Sequence, residues 1–162
     1  MDNTLVWPAD CTERIVDTYG NMLFRLCLIR LGNSHDAEDA VQETLMKYLQ
    51  KKPKFENAQH EKAWLLTVAS NKCRDILRYR NRHPEVDYDE INAFTQDSSD
   101  CGILDALVTL PDKYKTVLYL YYVEEYSMEH IAEMIGRSLS AVKMRLQKGR
   151  RLLAETYRKE WM

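Results

Sequence analysis

The sequence predicts an all-α protein: two small helical domains joined by a flexible acidic linker. Three observations carry that expectation. Apolar residues recur three and four apart along most of the 162 residues, the period of an amphipathic helix. The five glycines and four prolines are few, and several fall where one such pattern stops. Charge is sorted into blocks that net to only −2, with the basic residues gathered over 60–82 and again from Arg137 onward. Between 83 and 112 there is no Lys or Arg, while Glu85, Asp87, Asp89, Glu90, Asp97, Asp100, Asp105 and Asp112 accumulate. Two basic surfaces on either side of an acidic stretch imply two contact sites and a connector.

The chain is long enough for one domain or two small ones. No apolar run approaches the roughly 20 residues of a membrane span. The N-terminus lacks a basic segment followed by an apolar one, so no secretory signal is expected. Cys11, Cys27, Cys73 and Cys101 are widely spaced, without a CxxC pair or a histidine doublet, and read as free thiols of a reducing cytoplasm rather than a zinc site.

The first helix is expected over 12–31, burying Ile15, Val16, Tyr19, Leu23, Leu26 and Cys27, and ending at Gly32-Asn33. Ser34 can cap a second helix over 34–51, whose inward stripe is Ala37, Ala40, Val41, Thr44, Leu45, Tyr48 and Leu49. Its other side carries Asp36, Asp39, Gln42 and Glu43. These residues either start a soluble helix favourably against the macrodipole or form a docking face for a basic partner. Pro53 closes the helix, and a polar loop with Phe55 and Asn57 follows.

A third helix, over 61–82, buries Leu65, Val68, Ala69, Cys73, Ile76 and Leu77. Its opposite row is Trp64, Thr67, Asn71, Arg74 and Arg78. An indole that can stack on a displaced base, an amide and two guanidinium groups suit a nucleic-acid strand; the plainer reading is a half-buried Trp64 beside solvated arginines. The linker is expected over 83–101. A second domain follows, with a short helix up to Leu110-Pro111 and then the stripe Tyr114, Val117, Leu118 and Tyr121.

The stretch 127–153 organises the rest. Ser127 can cap a helix with Met128, Ile131, Ala132 and Ile135 on one face, and Gly136 stands where a left-handed turn is wanted. Ser138 can then cap a second helix that turns Leu139, Val142, Leu146, Gly149 and Leu153 inward. The outward face is Ser140, Met144, Gln147, Lys148 and Arg151, flanked by Lys143 and Arg145. A short helix, a glycine turn and a basic helix make a DNA-reading helix-turn-helix; an ordinary helical hairpin is the alternative.

Three segments in this order resemble the extracytoplasmic-function (ECF) group of bacterial RNA polymerase sigma factors. DAEDAVQETLMKYL (36–49) is similar to the helix with which that family binds the clamp coiled coil of the polymerase β′ subunit. AWLLTVASNKCRDILRYRNR (63–82) is similar to its promoter-melting helix. LPDKYKTVLYLYYVEEYSMEHIAEMIGRSLSAVKMRLQKGRRLL (110–153) is similar to its fourth domain, which reads the upstream promoter element.

The resemblance implies a cytoplasmic transcription initiation factor without chemistry or cofactor of its own, one that an anti-sigma factor can hold near the membrane. Its partners would be core RNA polymerase (β′ clamp coiled coil and β subunit), promoter DNA and an anti-sigma factor. It divides the chain into a second sigma domain (1–82), a linker (83–101) that threads a positively charged polymerase channel, and a fourth sigma domain (102–162). It assigns core binding to Asp36, Asp39, Gln42 and Glu43. Downstream-element capture and melting go to Phe55, Asn57, Trp64, Thr67, Asn71, Arg74 and Arg78. Upstream reading goes to Ser140, Ala141, Lys143, Met144, Arg145, Gln147, Lys148, Arg150 and Arg151. Ser140-Ala141 stands where the family usually has Gly-Thr, and Met144 where Ser is common, so the promoter sequence does not carry over. Two other readings stay open on the residues alone: a dimeric helix-turn-helix regulator acting without polymerase, and a helical protein-binding adaptor.

Overall fold

The computed structural model describes residues 9–83 and 101–161, with side chains over 13–83 and 103–159. Most of the expected linker therefore lies outside the described residues, as do the side chains of Cys11 and Cys101. Every described element is helical: α1 (Ala9–Leu31), α2 (Ser34–Lys51) and α3 (Ala58–Arg82) form a first unit, and α4 (Cys101–Val108), α5 (Asp112–Leu118), α6 (Met128–Ile135) and α7 (Leu139–Trp161) a second.

In the first unit α1 lays Ile15, Tyr19, Leu23, Leu26, Cys27 and Ile29 against α2 and α3. Val16, expected inside, is 43% exposed, although it shares its side of the helix with the buried Leu23 and Cys27. Gly32, at φ 79°, ends α1. Asn33 rather than Ser34 caps α2, its side chain accepting from the Asp36 amide at 2.8 Å. Asn57 likewise caps α3, accepting from the His60 amide at 2.8 Å, so α3 starts three residues earlier than the sequence predicts. Cys27 and Cys73 are buried free thiols on facing helices.

In the second unit the hairpin follows its sequence signals. Ser127 accepts from the His130 amide, Gly136 is left-handed at φ 67°, and Ser138 accepts from the Ala141 amide. Val142 and Leu146 are fully buried, and Gly149 lets α7 close on α5: a Cβ there would meet Leu118 Cδ1 at 3.1 Å. A π-helical turn, Tyr119–Val123, inserts a residue between α5 and the hairpin, and Glu125 then adopts φ 58°. That wide elbow buries Tyr119, turns Tyr122 outward and carries Glu124 toward α3.

The two units pack against each other, a placement the sequence left open. Arg30 of α1 reaches Asp112 of α5 in a bidentate pair (Nε to Oδ1 2.8 Å, Nη2 to Oδ2 2.7 Å) and donates Nη1 to the Ser70 carbonyl at 2.7 Å. Lys62 of α3 meets Glu124 at 2.8 Å. Lys115 is buried in the same seam and donates to the Val108 carbonyl at 3.3 Å. Burial pushes its ammonium from 10.5 down to about 8, with Asp112 opposing the shift and Arg30 and Arg80 reinforcing it. A folded value below the unfolded one means that the packed molecule binds fewer protons between those limits. Its stability is therefore flat below about pH 8 and rises with pH toward 10.5. Urea midpoints are expected to rise between pH 8 and about pH 9.5, and Lys115→Met to lack that increment. Equal pH slopes in the two proteins would contradict it.

Candidate nucleic-acid interface

The hairpin holds α7 by its apolar side and leaves the opposite side open. Met144 is 70% exposed, an extreme value for a thioether in a well-packed helix. Ser140, Lys143, Gln147, Lys148, Arg150 and Arg151 are exposed with it, while Ala141 and Arg145 are half-buried. Burial, and then the nearby Arg137, push the Arg145 guanidinium down from its ordinary value, so cations are crowded at the start of this face. An open hollow of about 680 Å³ runs along it and is lined as well by Lys113 and Tyr114 of α5. The Lys113 and Lys148 ammonium groups stand 5.1 and 5.6 Å from the Tyr114 ring centre. The nearby Lys148 ammonium, and then Lys113, lower the Tyr114 hydroxyl from its ordinary value. Arg150 instead lies over Tyr121 and Tyr122, at the edge of the face.

On α2 the acidic row divides. Asp39 and Glu43 have side chains 53% and 58% exposed, with Gln42 exposed between them. Asp36 is turned inward: its carboxylate pairs with Arg80 of α3 and accepts from Asn33, which fixes the start of the helix rather than offering a surface.

The row on α3 is also divided. Arg74 and Arg78 are exposed, and Thr67 and Asn71 half-buried. Trp64, for which both an outward stacking role and half-burial were open, is half-buried in an aromatic cluster, edge-on to Tyr48 (5.9 Å) and to Phe55 (5.9 Å), while Phe55 meets His60 at 5.2 Å. Beneath the cluster Glu61 is 6% exposed and accepts from both Arg14 Nη atoms (3.1 and 3.0 Å) and from the Tyr48 hydroxyl at 2.9 Å. Asn57 is exposed, although its side chain is engaged as a cap.

Residues 15–83 match the family model of sigma-70 region 2, and residues 102–153 that of sigma-70 region 4. The chain is 31% identical to the ECF RNA polymerase sigma factor SigW of Bacillus subtilis, over 92% of this chain and 90% of that one. The chain belongs to the ECF sigma factors of the sigma-70 family. It is a transcription initiation factor that directs RNA polymerase to promoters. It is also 31% identical to SigL of Mycobacterium tuberculosis, with 91% and 89% of the two chains aligned.

The fold of this sigma factor is that of RpoE from Bartonella quintana, solved with the anti-sigma factor NepR: TM-score 0.76 at 24% identity, covering 91% of this chain and 97% of that one. CnrH, solved with the cytosolic domain of CnrY, follows at TM-score 0.65 and 20% identity, covering 94% and 90%. A self-sufficient dimeric regulator is not favoured by a match that spans both sigma regions.

Two residues that line the hollow along α7 escaped the sequence reading. The sequence assigns Tyr114 only to a helical stripe and gives Lys113 no role, and a Lys immediately after Pro-Asp was the one available signal. Among the described residues no helix is long and apolar enough to cross a membrane.

Proposed function

We propose that this sigma factor grips core polymerase through Asp39, Gln42 and Glu43 of α2, meeting the β′ clamp coiled coil. α7 enters the major groove of the upstream element. Lys143, Arg145 and Arg150 hold phosphates, while Ser140, Ala141, Met144, Gln147, Lys148 and Arg151 approach base edges. Phe55, Asn57, Thr67, Asn71, Arg74 and Arg78 engage the downstream element, with Trp64 as a wall of the loop rather than a free stacking surface. Capture of an extruded base would offset an unstacking cost of about a few kcal/mol. The corresponding divisions of the chain are 1–82, 83–101 and 102–162.

An apolar groove of about 490 Å³ between α4, the elbow and α7, lined by Ile103, Leu107, Tyr122, Val123 and Leu153, is assigned to the β subunit. RpoE was solved with an anti-sigma factor, which supports one as this chain's regulator. The observation that carries the proposal is the exposed, basic outer face of α7, with Met144 at its centre.

Run-off transcription with purified core polymerase on a genomic promoter library is expected to give a defined set of starts. On those promoters Met144→Ser is expected to relax a preference for thymine at one upstream position by about fivefold, the worth of a methyl contact. An unchanged preference would remove Met144 from base reading, and an absence of promoter-specific starts would remove the proposal.

A further inference from the structure

We propose that the cleft between α3, α5 and the hairpin is a binding site for a compact polyanion carrying a diphosphate group, either free pyrophosphate or the diphosphate of a nucleotide. The cleft holds about 150 Å³ and draws cations from every side: Arg30 from α1, Arg74 from α3, Lys113 from α5, and Arg137 and Arg145 from the hairpin. Asp112 is the one acidic lining residue, and its charge is already committed. Arg30 Nε donates to Oδ1 at 2.8 Å and Nη2 to Oδ2 at 2.7 Å, while the Thr116 hydroxyl lies 3.3 Å from Oδ1. Arg30 also donates Nη1 to the Ser70 carbonyl at 2.7 Å, so its guanidinium is fixed as the floor. Arg74, Lys113, Arg137 and Arg145 then converge with no carboxylate paired to any of them among the described residues. Arg74 and Arg145 are also assigned to promoter DNA above; the site goes beyond that assignment, in which Arg30, Ser70 and Arg137 have no part.

Cations spread along one helix face are simply solvated. These come from separate elements that the fold packs together, and they share one recess, where water screens their repulsion less well. An anion of two or more charges relieves it. Arg145 already feels both burial and Arg137, and an anion between the two guanidinium groups offsets each. Ser70 is the second, independent observation. It lines the cleft, is 5% exposed, and its Oγ has no hydrogen-bond partner among the described residues. A hydroxyl on a helix ordinarily bonds back to the carbonyl one turn earlier, as Thr67 does to Ala63 and Thr44 to Ala40, both at 2.8 Å. An orphaned buried hydroxyl costs free energy, and a phosphoryl oxygen in the cleft satisfies it. The planar forks of Arg74, Arg137 and Arg145 match the paired oxygens of a phosphoryl group. The volume suits two linked phosphoryl groups, and a nucleoside attached to them would stay outside.

The test is isothermal titration calorimetry of the full chain with pyrophosphate, adenosine diphosphate, orthophosphate and sulfate, at about 0.15 M salt, where exposed charges are largely screened. Pyrophosphate is expected to bind once with a Kd of about 10 µM, and orthophosphate and sulfate about tenfold more weakly, because each reaches fewer of the forks. The tighter of pyrophosphate and adenosine diphosphate identifies the source of the group, and either upholds the site. Arg74→Gln and Arg137→Gln, on different units, are each expected to weaken pyrophosphate about tenfold. Lys47→Gln and Arg158→Gln, exposed cations outside the cleft, are expected to keep full affinity. Ser70→Ala is expected to weaken pyrophosphate about fivefold without lowering the melting temperature of the ligand-free chain, because its hydroxyl has no partner to lose. A folding defect would not separate the two readouts. Several weak sites, an affinity untouched by Arg74→Gln, Arg137→Gln and Ser70→Ala, or uptake of a promoter oligonucleotide but not of pyrophosphate would each overturn the proposal. The pyrophosphate titrations involve neither polymerase nor DNA, so their failure is distinct from a failure of promoter-specific transcription.

Discussion

Replacing Asp39 and Glu43 together by Lys is expected to lower the affinity for core polymerase by about 100-fold and to abolish promoter-specific transcripts, while the protein stays folded. The two carboxylates are more than half exposed, and their ties to the first unit are slight. His35 lies 3.7 Å from Asp39 on the same helix, and Lys72 pairs with Glu43 at the surface; such exposed pairs contribute about 0–1 kcal/mol. Reversal therefore leaves thermal unfolding within a few degrees. A basic partner would instead face two ammonium groups where it had two carboxylates, and a like-charge contact costs several kcal/mol, of which about 2.7 kcal/mol already corresponds to 100-fold. Asp36→Lys is the contrasting variant. It removes the partner of Arg80 and a contact with the capping Asn33, so it should lower the melting temperature first and recruitment only in consequence. Binding to core polymerase measured beside circular dichroism separates the two cases. Intact recruitment by the folded double variant would dismiss the acidic shoulder as the docking site.

The contrast between Asp36 and Asp39 shows what the sequence could and could not convey. Helical periodicity places both on the outer side of α2, three residues apart. Only Arg80, 44 positions away, turns Asp36 inward. Trp64 is a similar case: its row on α3 faces outward by angle, but Tyr48 and Phe55 arrive from other elements and enclose it. The hairpin was legible because each of its joints requires a particular residue type: a hydroxyl at 127 and 138, and a glycine that tolerates φ 67° at 136. The π-turn was not, because one extra residue in the apolar run Tyr119–Val123 leaves no mark in the pattern. The seam between the units rests on Arg30 and Asp112, 82 residues apart, and on a buried Lys115 that a helical wheel assigns to solvent. Local rules report each helix's own faces; which face another helix then covers is a tertiary fact.

Glu61 is the second site where a large effect is expected, and it too was read only as the start of a helix. It ties α1 (Arg14), the end of α2 (Tyr48) and α3 together beneath the Phe55–Trp64 cluster. Burial alone would raise its carboxyl, but hydrogen bonds from Arg14 and then Tyr48 outweigh it and hold the group below the ordinary glutamate value. Breaking a fully buried pair costs about 3–5 kcal/mol; Arg14 stands half in solvent, so Glu61→Gln is placed nearer ~2 kcal/mol. For a chain of this size that lowers the melting temperature by about 4–8 °C. The sign of the pH dependence follows from the depressed folded value. The carboxylate's contribution is complete above the unfolded glutamate value, about 4.3, and is lost as pH falls through the folded one. The deficit of Glu61→Gln should therefore be full at neutral pH and shrink in acid, and an equal deficit at about pH 3.5 and pH 7 would show that the loss comes from packing rather than charge. Because Tyr48 would lose its anionic acceptor, the loop bearing Phe55 and Asn57 would loosen. Transcription from promoters that depend on strand opening should then fall more than transcription from a pre-melted template, and the difference between the two templates isolates the loop from the stability of the fold.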